Sequence, residues 1–133
     1  TKINKMESTE IYKITYEEDI NAVFCKWYGY ATSNQFREST ELLLEMLEKH
    51  NAHKILVDLK DMILIGKEDQ DWMDRTYIPK ATMMGLKFVA CIQPLYFFNK
   101  IAVESIVYSF NKTPVTVNYF ENYEDAISWL KNL

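Results

Sequence analysis

The chain has few of the residues that break or bridge a fold, with 3 glycines, 3 prolines and 2 cysteines among 133 residues. The scarcity of glycine and proline disfavours long structureless segments, and no glycine-rich phosphate-binding loop is present. Cys25 and Cys91 lie in apolar, strand-like segments. We interpret them as buried, reduced thiols rather than as a disulfide or a redox pair.

The chain also lacks an excess of basic residues and a long apolar run. Its net charge of -4 disfavours nucleic acids and anionic membranes as partners. The longest apolar run, 88–92, is far shorter than the roughly 20 residues of a membrane span. Residues 1–9 are polar, without the apolar core of a signal peptide. We therefore expect a cytoplasmic protein that binds no nucleic acid and has no membrane span.

What is present is a regular succession of strand-like and helix-like segments after residues 1–9, which we expect to form a flexible arm. The segments 10–16 and 21–28 are rich in β-branched and aromatic residues and are joined by a polar turn, which predicts an antiparallel hairpin. Two later apolar runs predict buried strands at 54–59 and 87–92, and residues 114–119 predict a last strand.

Four amphipathic segments predict helices, one after the hairpin and one after each of these later strands. The first follows a capping-box pattern that begins at Thr32. The second contains Pro79, where we expect a kink, and Gly85 is suited to end it. The other two segments cover residues 97–111 and the residues after Asn122. The resulting order, ββαβαβαβα, predicts an α/β fold with a mixed five-stranded, largely parallel sheet.

Short motifs in a fixed order run along residues 10–133, which we expect to form a single domain. They are Trp27-Tyr28-Gly29, Gln35-Phe36, Val57-Asp58, Asp71-Trp72, Pro79-Lys80-Ala81, Gly85-Leu86-Lys87, Phe120, Ala126 and Trp129-Leu130. In this order they resemble the STAS-like superfamily, and more narrowly its small stand-alone bacterial SpoIIAA-like proteins of unassigned function. The same layout is shared by CRAL-TRIO lipid-transfer domains. The resemblance implies a STAS/SpoIIAA-like fold and a non-catalytic regulatory or protein-binding module.

The connection after the third predicted strand departs from the regulatory members of that superfamily. Those proteins are switched by phosphorylation of a Ser or Thr at the start of the following helix. Here residues 59–67 read LKDMILIGK, and no Ser or Thr occurs between Thr40 and Thr76. The chain therefore lacks this phosphoacceptor. We expect a module that binds an unidentified protein partner or associates with itself as a homodimer. In either case we expect the contact to be made by the surface around residues 59–72.

Asp58, Lys60 and Asp61 are candidates for a binding site because Asp58 ends a buried strand at its carboxyl edge and the other two follow it. In open α/β sheets, ligands bind outside the carboxyl ends of the strands. A turn or helix-capping role explains an aspartate at this position equally well. No nucleophile-and-base pattern is present. An enzyme would have to rely on Asp58, Asp61 and Asp71, and we expect no catalytic residue.

Two groups of residues have the chemistry of metal ligands. His50 and His53 are spaced to share a metal ion, but a zinc site needs three or four ligands and no third is near in sequence. Asp71 belongs to an acidic helical turn, which is a ligand set for a divalent cation or a complement to the helix dipole. We expect neither a metal nor a cofactor.

Aromatic residues cluster in the second half of the chain, where Trp72 and Tyr77 precede Tyr96, Phe97 and Phe98. They are candidates for a partner surface or for the lining of an apolar pocket, and ordinary core packing explains them as well. The alternative function is therefore a small-molecule or lipid-binding carrier. It predicts an apolar cavity that opens near Trp72, Tyr77 and Tyr96.

Overall fold

Six strands form one mixed sheet in the computed structural model, which describes residues 6–8 and 11–133. The strands are β1 (Met6–Ser8), β2 (Tyr12–Glu17), β3 (Ala22–Gly29), β4 (Lys54–Met62), β5 (Phe88–Ile92) and β6 (Thr116–Phe120). The helices are α1 (Ser33–His50), α2 (Lys67–Trp72), α3 (Ile78–Met83), α4 (Phe97–Phe110) and α5 (Tyr123–Lys131), and a π-helical turn (Met73–Tyr77) joins α2 to α3.

The strands lie in the sheet in their order along the chain, from β1 to β6. The pairs β1–β2 and β2–β3 are antiparallel, and the three pairs from β3 to β6 are parallel. The α/β class and the order ββαβαβαβα are confirmed, and β1 adds a sixth strand at the edge. This short strand lies within the arm that we expect to be flexible, and the other residues of the arm lie outside the described residues. The assignment of 10–133 to one domain stays a prediction.

Two hydrophobic clusters cover the two faces of the sheet. The larger one joins the sheet to α1, α3, α4 and the π-helical turn. The smaller one lies under α5 and is formed by Ala22, Leu56, Ala90, Ile92, Ala126 and Leu130. Because each strand alternates its side chains between faces, neighbouring residues of β4 belong to different clusters. Residues that are close in sequence are therefore separated by the thickness of the sheet.

Strand β4 continues to Met62, three residues beyond the predicted end at Leu59. The extension pairs with β3, where Tyr28 lies beside Asp61 and Gly29 beside Met62, after a β-bulge. The neighbouring strand β5 ends at Ile92, level with Asp58. The prediction that Lys60 and Asp61 lie in a connecting loop is therefore wrong, because β3 supplies hydrogen-bond partners beyond the end of β5.

The irregularity expected at Pro79 is a π-helical turn that lies directly before it. Proline has no N–H, so a continuous α-helix would lose a hydrogen bond at this position. The chain places Pro79 in the first turn of α3, where a missing N–H is tolerated. In the turn before it, the N–H of Ile78 donates to the carbonyl of Met73, five residues back. The α-helical hydrogen-bond pattern thus resumes in α3, whose first turn contains the proline.

Gly85 ends α3 with a positive φ of 97°. The N–H of Gly85 donates to Thr82 and that of Leu86 to Ala81, which is the Schellman pattern of a helix end. A Cβ at Gly85 would lie 3.2 Å from Nδ1 of His53. Both the backbone conformation and the neighbouring ring therefore favour glycine here.

We predict that Gly85→Ala lowers the free energy of unfolding by about 1 kcal/mol or more, because alanine is strained at positive φ. Urea denaturation measures the change. Gly66→Ala is the matched control, since Gly66 has a φ of -66° and open space around its Cβ position. Equal losses for the two variants would contradict the explanation.

Candidate functional site

The sheet divides the predicted site residues among separate places. Asp58 lies on the α5 face with Lys60 and Asp61 beside it, and Tyr77 lies in the core on the opposite face. Trp72 packs at the margin of that core. The remaining two, Asp71 and Tyr96, lie at the surface on α2 and before α4. These residues therefore do not form one site.

Asp58 is the buried centre of a polar cluster on the α5 face, with 0% of its surface exposed. Its Oδ2 lies 3.6 Å from Nζ of Lys26, which is also 3.6 Å from Oδ2 of Asp61. Its Oδ1 accepts a 3.0 Å hydrogen bond from the backbone N–H of Lys60. The structure thus brings together three predicted residues around a lysine that sequence reasoning missed. Lys26 could have been found from the alternation of β3, which places it on the same face as Phe24.

The groups around Asp58 hold their protons at neutral pH. Burial, and after it the charge of Asp58, raises the pKa of the Tyr123 hydroxyl well above its usual value. The same two causes raise the pKa of the Cys91 thiol to about 12. Neither group supplies an anionic nucleophile at neutral pH. The arrangement is that of a buried carboxylate neutralised by one lysine, which ties β3 to β4.

We predict that Lys26→Met lowers the free energy of unfolding by about 1–3 kcal/mol, because it leaves the Asp58 carboxylate buried without its cation. The lower part of the range reflects the partial exposure of Lys26. Lys13→Met is the matched control, because Lys13 lies opposite Lys26 on β2 and is exposed. Thermal or urea unfolding measures both. A Lys13 variant that loses as much stability would contradict the role of the ion pair.

The two cysteines are buried and free, as the sequence predicts. Cys25 of β3 and Cys91 of β5 both lie level with Val57 of the intervening strand β4. Two strand spacings amount to about 9–10 Å, which exceeds the Cα separation of a disulfide. A bridge between these cysteines is therefore excluded by the sheet.

The histidines that the sequence offers as metal ligands are engaged elsewhere. His50 stacks on Tyr16 with ring centroids 3.7 Å apart, and Nδ1 of His53 lies 2.8 Å from the Gly85 carbonyl. In the acidic turn, Asp71 pairs with Lys67 at 3.1 Å. Within residues 6–8 and 11–133, no group of three or more His, Cys, Asp or Glu side chains is placed to hold a metal ion.

Trp72 and Tyr77 pack with each other in the core margin, with ring centroids 5.5 Å apart. The Tyr77 hydroxyl donates to the carbonyl of Thr40, and the Arg37 guanidinium lies over the Trp72 ring. A cavity of about 80 Å³ adjoins Tyr77 between the sheet and the helices, and its lining includes neither Trp72 nor Tyr96. Pockets for small-molecule ligands usually measure about 300–1,000 Å³. This cavity is too small for a lipid and does not open where the carrier hypothesis predicts.

Four consecutive large apolar residues are exposed at the start of α4. The exposed fractions are 72% for Leu95, 47% for Tyr96, 67% for Phe97 and 72% for Phe98. Ile63, which is 40% exposed, belongs to the connection between β4 and α2, and Ile65 of this connection is hydrogen-bonded to Asn99 of α4. We call Ile63 and these four consecutive residues the apolar patch. Single exposed apolar residues are ordinary, whereas a contiguous group of this kind marks an interaction surface.

Asn99 fixes the apolar patch to the sheet, and its side chain is fully buried. Its amide nitrogen donates to the carbonyl of Met62 at 3.2 Å, and its oxygen accepts the N–H of Ile65 at 2.8 Å. The N–H of Leu95 donates to the carbonyl of Lys60 at 3.2 Å. Sequence reasoning missed Asn99, although an asparagine among the inward positions of an apolar helix is a signal of a buried hydrogen bond.

We predict that Asn99→Ala lowers the free energy of unfolding by about 2–4 kcal/mol, because it leaves two buried backbone groups without partners. Asn111→Ala is the matched control at an exposed position at the end of the same helix, and it should change stability by less than about 0.5 kcal/mol. Urea denaturation measures the loss. Hydrogen exchange should also speed up at the Ile65 amide, and an unchanged rate there would contradict the assigned role.

Comparison with known proteins supports the fold of the chain and identifies no activity for it. No family model and no curated protein matches the chain. A solved structure that it resembles is the crystal structure of an uncharacterized protein from the DUF3478 family, with a SpoIIAA-like fold, from Shewanella loihica PV-4. The two are 21% identical, the match covers 93% of this chain and 97% of that chain, and the TM-score is 0.64. The likeness shows that the chain has the SpoIIAA-like fold that its motifs predict.

Proposed function

We propose that the protein is a non-catalytic, regulatory binding module that docks a partner protein through the apolar patch. The observation that carries the proposal is the exposure of Leu95, Phe97 and Phe98, each about two-thirds or more open to solvent. Full burial of one such side chain contributes about 1.5–3 kcal/mol. A partner that covered this group would therefore gain a substantial hydrophobic contribution to binding.

The position of the apolar patch supports a docking role. It includes Ile63 of the connection from β4 to α2, which lies beyond the carboxyl ends of β5 and β6 and is bound to α4 through Asn99. In the regulatory proteins that the sequence resembles, the phosphoacceptor lies at this point of the fold. Here Gly66 caps α2 and Lys67 begins it, so there is no hydroxyl to phosphorylate. We infer that partner binding at this surface is constitutive rather than switched by phosphorylation.

The polar cluster at Asp58 supports a structural role better than a catalytic one. Its carboxylate is buried and held by Lys26, and the neighbouring hydroxyl of Tyr123 keeps its proton. General acid–base catalysis requires a group within reach of a substrate. We therefore continue to expect a protein without enzymatic activity.

The cytoplasmic location is likewise a proposal. Among the described residues, no helix is both long and apolar enough to cross a membrane.

We predict that Phe98→Ser abolishes or strongly weakens capture of a specific partner, because it removes a large apolar contact from the apolar patch. Met83→Ser is the matched control, since Met83 is 89% exposed on α3, outside the apolar patch. Circular dichroism first establishes that both variants fold. Affinity capture from a lysate of the source organism, with the two variants and the unchanged chain as baits, then measures the effect. A partner that binds all three equally would contradict docking at the apolar patch.

A further inference from the structure

The last strand of the sheet, β6, has an open edge that lacks the usual protection. Natural edge strands carry lysine or proline, form bulges or are very short, because an open edge pairs with other strands. Strand β6 reads Thr-Val-Asn-Tyr-Phe, with neither a charge nor a proline. Thr116, Asn118 and Tyr119 are exposed. This edge is therefore suited to pair with another strand.

The hydrogen bonds to β5 determine which groups of β6 point outward. The N–H of Thr116 donates to Lys87, and the carbonyl of Phe120 accepts the N–H of Gln93, so both groups face β5. Because successive residues of a strand alternate in direction, Val117 and Tyr119 direct their N–H and C=O groups toward the open edge. Their side chains lie on the face that α4 covers, as Val117 packs against the larger core.

We propose that β6 pairs antiparallel with β6 of a second copy of this chain, on a two-fold axis at Asn118, to form one continuous sheet. Val117 then lies opposite Tyr119 of the partner subunit. Each of these two equivalent pairs exchanges both of its backbone hydrogen bonds, as hydrogen-bonded pairs of antiparallel strands do. The edge is self-complementary, which is the requirement for a two-fold interface.

Helix α4 lies on the same face of the sheet as the Val117 side chain, since Val103 and Phe110 line the same cavity as Val117. In a continuous sheet the two copies of α4 would therefore lie on one face, on either side of the two-fold axis.

This interface is separate from the apolar patch and does not rest on the proposed function. The dimer uses the edge of β6, whereas Leu95, Phe97 and Phe98 carry the docking proposal. The absence of a dimer would therefore leave the docking proposal intact, and the absence of partner docking would leave the dimer proposal intact.

Sedimentation equilibrium of the 133-residue chain over a wide range of protein concentration tests the proposal. We expect a monomer–dimer equilibrium. Tyr119→Lys should weaken it by about tenfold or more, because it places a charge on the open edge. Tyr30→Lys is the matched control, since Tyr30 is 59% exposed in the loop after β3, and it should leave the equilibrium unchanged.

Circular dichroism establishes that each variant folds. A monomer at every concentration would overturn the proposal, even if β6 then bound an added extended peptide. A dimer that is insensitive to Tyr119→Lys would also overturn it, because it would use another surface.

Discussion

The carboxyl end of the sheet depends on the hydrogen bonds of one buried amide, that of Asn99. Strand β4 runs past the ends of β5 and β6, and Met62 and Ile65 therefore have backbone groups there that no strand of the sheet satisfies. Buried backbone groups require partners, so a side chain from elsewhere must supply them. Asn99 supplies both and thereby fixes where α4 begins. With Asn99 turned inward, the residues just before it are held at the surface, which explains why the apolar patch is exposed.

Another buried polar group, Asp58, links two strands of the sheet. Its carboxylate would be very unfavourable in the core without a cation, and Lys26 on the adjacent strand provides one. The pair lies just before the bulge at which the register of β3 and β4 shifts. A charge pair at this point favours one register over its neighbours, because a slip by one residue would move Lys26 to the opposite face.

Local periodicity was enough to predict the helices and five of the six strands, because these elements pack against the core. It failed where partners distant in sequence decide the outcome. Lys60 and Asp61 interrupt the apolar run and resemble a loop, yet β3 keeps them in a strand. The Lys26–Asp58 pair required the register of two strands, which a single sequence does not contain. Periodicity also could not distinguish an exposed apolar residue such as Phe98 from a core residue, since both have the same hydrophobic character.

The edge strand β6 is held in place within the monomer because α5 packs against it, on the face of the sheet opposite to α4. Trp129 of α5 packs on Phe88 of β5 and on Phe120 of β6, with ring centroids 6.0 and 5.6 Å apart. Ala126 and Leu130 complete this contact beneath the last three strands. Because the monomer already holds β6 in place, pairing with a second copy would require little further ordering, and less conformational entropy would oppose association. Helix α5 therefore holds the edge of β6 in the position that pairing with a second copy requires.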